Sequence, residues 1–192
     1  MIDTGHVLIS LEERHAENIF SGLKQVELRR RSMNIPAGTT MWMYVKLPLG
    51  RVVGSVRVRD FCSFAPSTLW RQFAEISGLT RNEFFTYFDG VSRGFALELE
   101  APQRMPVGVS LKELRSVAAG FQPPQFFLRL PPDGAVLRAI SSQPVWPKNL
   151  DEIDLDNRQR MPRSRQTYSH DSTALRSYGA DVVTPNGRVL TD

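Results

Sequence analysis

One cysteine, Cys62, stands in 192 residues. A single thiol excludes an intramolecular disulfide and any metal site built from several cysteines. Long apolar runs are missing as well: no stretch approaches the ~18 consecutive apolar residues that a membrane-spanning helix needs. The opening residues, Met1-Ile2-Asp3-Thr4-Gly5-His6, lack the basic segment followed by an apolar one that marks a secretory leader. These absences lead to the expectation of a cytoplasmic protein that avoids membranes. His6 and His15 lack metal-ligand spacing, and neither has a carboxylate partner evident in the sequence. The expectation is therefore of no metal and no cofactor. Lysine is scarce: four residues, Lys24, Lys46, Lys112 and Lys148, against twenty arginines. Arginine's planar fork suits phosphates and base edges, although genome composition can produce the same bias. The net charge of +4 and a pI of 9.6 permit a polyanionic partner without requiring one.

What is present divides the chain. With 41% hydrophobic residues there is material for one core, and the apolar patterning is dense up to about Ile140. Residues 1–140 read as the folded domain and 141–192 as a polar, irregular tail. The tail carries seven basic and seven acidic side chains, with Asp151–Asp156 acidic and Arg158–Arg165 basic. Few large apolar residues remain there to bury. Trp146, between Pro144 and Pro147, is the expected point of return to the body.

Within the body, Val7-Leu8-Ile9 is a short apolar run, and Ser10 stands three residues before Glu13, the spacing of a capping box. Ala16, Ile19, Phe20 and Leu23 follow at helical spacing, with Gly22 as the stop. Lys24–Arg31 alternates as a strand, placing Glu27 and Arg29 on one face. Met41–Lys46 and Arg51–Phe61 read as two more strands. Leu69, Trp70, Phe73 and Ile76 define a helix, and Thr80 with Glu83 caps another that carries a phenylalanine cluster. Gly94–Glu100 is a strand, Ser110 with Glu113 caps a short helix, and Phe126–Leu130 closes the body as a strand. The order β-α-β-β-β-α-α-β-α-β separates too few strands by helices for a doubly wound parallel sheet. It predicts an α+β fold, a small mixed β-barrel of five to six strands with flanking helices.

Gly22-Leu23-Lys24-Gln25-Val26-Glu27-Leu28-Arg29 resembles the G-x-K-x-x-E-x-R signature of ASCH domains, in the PUA-like superfamily. The opening strand with Ser10, the Met41–Lys46 strand carrying Tyr44, and Pro123-Pro124-Gln125 fit in order, over roughly residues 5–132. The resemblance implies a compact barrel with a cleft beside the first helix and second strand, where PUA-like domains meet RNA or a modified base. It also implies more than one activity, because ASCH proteins include hydrolases of N4-acetylcytidine, proteins assigned ribonuclease activity, and RNA-binding regulators.

Read physically, Glu27 and Arg29 can pair on a shared face and offer an acceptor and a donor fork to a base edge. Lys24, where helix becomes strand, can meet a phosphate or act as a base. The bland alternative is a solvated surface ion pair. Ser10 and Tyr44 could line the cleft, and a cation at Lys46 would favour phosphate. Arg51, Arg57 and Arg59 could form a basic stripe or only a solvated face.

Three readings follow. The first is a monomeric module that binds RNA or a modified nucleoside through Lys24, Glu27, Arg29, Ser10, Tyr44 and Lys46. The second is a hydrolase, of the N4-acetylcytidine or ribonuclease type, with Lys24 and Glu27 as catalytic groups. Against the deacetylating branch, Glu27 stands where its K-x-x-T pattern has threonine, and its further carboxylate, in the middle helices, aligns only loosely with Glu75 or Glu83. The third is an adaptor whose tail takes a protein partner.

Overall fold

Val7-Leu8-Ile9 has no polar face because the strand that contains it is covered on both sides. In the computed structural model, which describes residues 5–145, the order is β1 (His6–Leu11), α1 (Glu13–Phe20), β2 (Val26–Arg29), β3 (Thr40–Val45), β4 (Arg51–Phe64) and α2 (Pro66–Phe73). Then come α3 (Arg81–Tyr87), β5 (Gly94–Ser110), α4 (Leu111–Val117), β6 (Phe127–Leu130) and α5 (Ala135–Ser141). The strands form one curled mixed sheet in the order β2-β5-β4-β3-β1-β6, an open half-barrel. Only β1 and β3 run parallel, His6 opposite Thr40 through Leu11 opposite Val45. Strands buried on both faces read as unbroken apolar runs.

The pleat divides the core. Val7, Ile9, Met41 and Met43 pack with Val56, Val58, Leu97 and Leu99 and with Ile19 of α1. Leu8, Trp42 and Tyr44 point the other way, onto Leu114 of α4 and Leu137 and Ile140 of α5. A third cluster sets Val26, Leu28 and Ala96 against Leu69 and Phe73 of α2 and Phe84 and Phe88 of α3. The phenylalanines of α3 are thus mainly core, as the sequence predicts.

The expected element order is found, with α5 as an addition. Thr80–Glu83 and Ser110–Glu113 both form capping boxes. Three expectations need correction. Ser10 does not cap α1: it lies within β1, its hydroxyl donates to the Pro124 carbonyl at 2.7 Å, and Glu12 occupies the N-cap. Leu23 lies beyond the helix and is exposed. β4 and β5 continue past their predicted ends as a long antiparallel ribbon, irregular at Val52/Gly54, Ser55/Arg57 and Val58/Asp60.

Gly54, at one of those irregularities, sets the position of α1. A Cβ there would fall 2.2 Å from the Gln103 carbonyl oxygen and 2.8 Å from the Phe20 ring. Its absence lets the end of α1 lie directly on the ribbon. On the outer side, the Arg104 guanidinium sits 4.2 Å from the Phe20 ring centroid and pairs with Glu17. Trp146 and the acidic and basic blocks of the tail lie outside the described residues.

Candidate functional site

α1 ends at Phe20, and Gly22, with φ +81°, reverses the chain toward β2. The connecting backbone is fastened at two points. Lys24 N–H donates to the Asn18 carbonyl, and Gln25 N–H donates to the Ile76 carbonyl at the end of the turn following α2, each at 2.8 Å. This anchoring carries Lys24 inward, so that it is only 4% exposed. Its ammonium donates to the Ser77 carbonyl at 3.3 Å and faces Glu27 Oε2 at 3.3 Å. The other carboxylate oxygen of Glu27 lies 2.9 Å from Arg29 Nη2. Glu27 and Arg29 share a face of β2, as strand alternation predicts, while Val26 and Leu28 enter the core. Glu27 is 5% exposed, so this is a buried cation–anion–cation row rather than the solvated pair that spacing alone also allowed.

Burial pushes the Glu27 carboxyl up, but the charges of Lys24 and Arg29 outweigh it and hold the group below its ordinary value. The row is the floor of a cleft of about 410 Å³. One wall is α1 with Arg14 and His15. The opposite wall holds Leu79, Glu83 and Tyr87, and Ser10, Glu12 and Lys46 close the end. Two exposed ion pairs stand at the rim, Arg14–Glu83 at 2.7 Å and Glu12–Lys46 at 2.8 Å. The Tyr87 hydroxyl donates to the Leu28 carbonyl at 3.4 Å.

Five of the six residues singled out from sequence, Lys24, Glu27, Arg29, Ser10 and Lys46, line this cleft. Tyr44 does not. It is buried on the opposite face of the sheet, among Leu8, Trp42 and Val52, and burial raises its phenol. Register does not separate the two, since Ser10 and Tyr44 are partners at the ends of parallel strands; the tyrosine ring packs into the second core cluster, while Ser10 borders the cleft.

The sequence analysis did not name Arg14 or Tyr87 as site residues, weighed His15 only as a metal ligand, and offered Glu83 only as an alternative to Glu75 for a further carboxylate. For His15 a signal existed, since it lies next to Ala16 on the half of α1 that faces the sheet. Its Nδ1 is buried without a hydrogen-bond partner, and burial, then the charge of Lys24, lower its pKa. The Arg57–Arg59 stripe is not a free basic surface. Arg59 pairs with Glu98, and Arg57 lies 4.0 Å from Glu100 across the ribbon. Among the described residues no group of three or more His, Cys, Asp or Glu side chains is placed to hold a metal ion, and no helix is long and apolar enough to cross a membrane.

An open mixed half-barrel, with a charged cleft between its first helix and the strand that follows, defines the class of protein. The chain is 32% identical over 124 residues to an ASCH domain-containing ribonuclease of Zymomonas mobilis, an alignment that spans 64% of this chain and 82% of that protein. The crystal structure of ASCH from Zymomonas mobilis matches with a TM-score of 0.67 and 28% identity, over 74% of this chain and 98% of that one. A part of the large ribosomal subunit protein uL22 of Ureaplasma parvum is 24% identical over 121 residues, 62% of this chain and 39% of that protein. No family model matches the chain. The chain belongs to the ASCH domain family.

Proposed function

We propose that this domain binds RNA in the cleft between α1 and β2. The observation that carries the reading is the buried Lys24–Glu27–Arg29 row at the floor of a cleft large enough for a nucleotide-sized group. Burying three charges is costly unless they serve one another or a ligand. The row bears one net positive charge, the sign that a polyanion requires. The name of the Zymomonas relative, a ribonuclease, supports RNA as the partner.

The test is fluorescence anisotropy with short single-stranded RNAs. Arg29→Ala should weaken binding at least ~10-fold, the range expected for losing a hydrogen bond to a charged group. Arg57→Ala and Arg59→Ala, whose charges are already matched by Glu100 and Glu98, should leave affinity within ~2-fold. Equal loss from both sets would move the binding surface out of the cleft.

A second reading, cleavage of the bound RNA, is favoured by His15. A partly buried imidazole with a lowered pKa beside a cation is suited to take a proton at neutral pH. Lys24 is less suited to that role, because its ammonium is directed at Glu27 and the Ser77 carbonyl. The same two contacts weigh against deacetylation of N4-acetylcytidine through a free Lys24. Product analysis with wild type and His15→Gln separates reader from nuclease: RNA bound but left intact by the wild type refutes cleavage.

A further inference from the structure

The cleft floor has more donors than acceptors. Glu27 Oε2 faces the Lys24 ammonium, and Oε1 lies in ion-pair contact with Arg29 without an aligned hydrogen bond. The rim carboxylates Glu12 and Glu83 are paired with Lys46 and Arg14. Arg29 is in the opposite state. Its Nη2 lies 2.9 Å from Glu27, but the N–H is not aimed at the oxygen, so Nη2 and Nε are both buried without a hydrogen bond. His15 Nδ1 is buried and unpartnered as well. Among the described residues four buried side-chain polar atoms lack a partner, and three of them belong to these two cleft residues. Unmade hydrogen bonds in a dry site cost stability, and a ligand that supplies the missing acceptor recovers it.

A base edge offers donors and acceptors in alternation, and its donors would have to compete for the floor's one carboxylate with the two cations that flank it. A phosphate offers acceptors only, with the negative charge that the floor's excess cation calls for. We propose that Arg29 and His15 receive a phosphate group, so that the cleft takes nucleic acid by its backbone and not by a base edge. The inference rests on the RNA reading of the cleft and names the part of the RNA that enters it.

A consequence concerns His15. It faces Glu12 and Arg14 on its own helix, Lys24, Glu27 and Arg29 across the floor, and Lys46, Glu83 and Tyr87 around the cleft. Burial and Lys24 favour its neutral form in the empty cleft. A phosphate beside it favours the imidazolium, so binding should be accompanied by proton uptake by His15.

The experiment uses the full chain and a 2′-O-methyl tetranucleotide, which resists self-cleavage and whose diesters have no proton to lose near neutral pH. Its uncharged methylphosphonate analogue and inorganic phosphate serve as the comparison ligands. The expected result is that the methylphosphonate binds at least ~10-fold more weakly and that inorganic phosphate competes with the diester. In the wild type the His15 imidazole resonances should move toward their protonated positions on binding. Arg29→Lys, which keeps the charge and loses the fork, should abolish most of the discrimination between the diester and its neutral analogue. Equal binding of diester and methylphosphonate, with stationary His15 signals, would overturn the phosphate inference and leave RNA binding intact. Inorganic phosphate that shifts His15 while no tetranucleotide binds would uphold the phosphate site and overturn the RNA reading. Because the His15 signals are read in the wild type, a folding defect in Arg29→Lys would not obscure the answer.

Discussion

Glu27→Gln should be among the most damaging conservative substitutions in the domain. The carboxylate is 5% exposed and lies 3.3 Å from Lys24 Nζ and 2.9 Å from Arg29 Nη2. Glutamine keeps the volume and removes the charge, which leaves two cations facing one another at the cleft floor. Removing one partner of a buried ion pair costs ~3–5 kcal/mol. The Arg29 side chain keeps 12% of its surface exposed, which places the loss toward the lower end, about 3 kcal/mol. In chains of this size each kcal/mol moves Tm by ~2–4 °C, so a fall of about 10 °C is expected.

Lys24→Met should cost less, because Glu27 and Arg29 remain a balanced pair. The double variant should cost less than the sum of the singles, with a coupling of ~0.5–3 kcal/mol. Urea unfolding at pH 7 for all four proteins provides the measurement. The pH dependence gives an independent check. The folded-state pKa of Glu27 is lowered, so its contribution is complete above the unfolded value of ~4.3 and is lost as pH falls through the folded value. The wild type should therefore lose its advantage over Glu27→Gln on acidification. A Glu27→Gln penalty below ~1 kcal/mol, or one smaller than that of Lys24→Met, would refute the view that the row is held by its charges.

Two further predictions test the walls of the site. Glu83 accepts from the Thr80 backbone N–H and hydroxyl and from Arg14, which hold its carboxyl down to about 2. A carbon-13 titration should find that midpoint, and Arg14→Ala should raise it; an ordinary carboxylate midpoint in the wild type would show that the capping box is not formed. Gly54→Ala places a methyl group 2.2 Å from the Gln103 carbonyl and against Phe20. Thermal unfolding should show a loss of at least ~1–3 kcal/mol, the range for overpacking a filled site, and RNA affinity should fall with it as α1 shifts. A neutral Gly54→Ala would mean that α1 does not rest on the ribbon there.

The fold was readable because its local signals agree with one another. Two capping boxes, the helix stop at Gly22 and the strand alternation of β2 each specify a local state that tertiary packing leaves unchanged. What was hidden depends on contacts distant in sequence. Nothing near Ser10 announces that its hydroxyl binds a carbonyl 114 residues away. The extra length of β4 and β5 is likewise sustained by pairing: Arg51 to Phe64 run opposite Ser110 to Gly94, a ladder with no trace in either strand's own propensities. α5 left a weaker sign, Leu137 and Ile140 at helical spacing, in a segment of only seven residues.

The candidate site shows the same division between local and distant information. Lys24, Glu27 and Arg29 come from one stretch of eight residues, so a short motif could expose them. The other groups around the cleft come from β1, α1, α3 and the residue just past β3, and no single segment shows them together. Tyr44 illustrates the opposite error. An aromatic residue at a strand end beside a cleft residue invites a stacking role, yet β3 is buried on both faces, so its tyrosine had an apolar neighbourhood available on the far side. His15 was passed over because it has no ligand-like spacing to another histidine. Its significance comes instead from helix geometry: once Gly54 allows α1 to lie on the sheet, the residue one turn before Ile19 must face whatever β2 presents. What β2 presents is a buried row with one positive charge in excess. An imidazole left without a partner beside that row is the feature that turns a structural ion cluster into a place where an anion can be received.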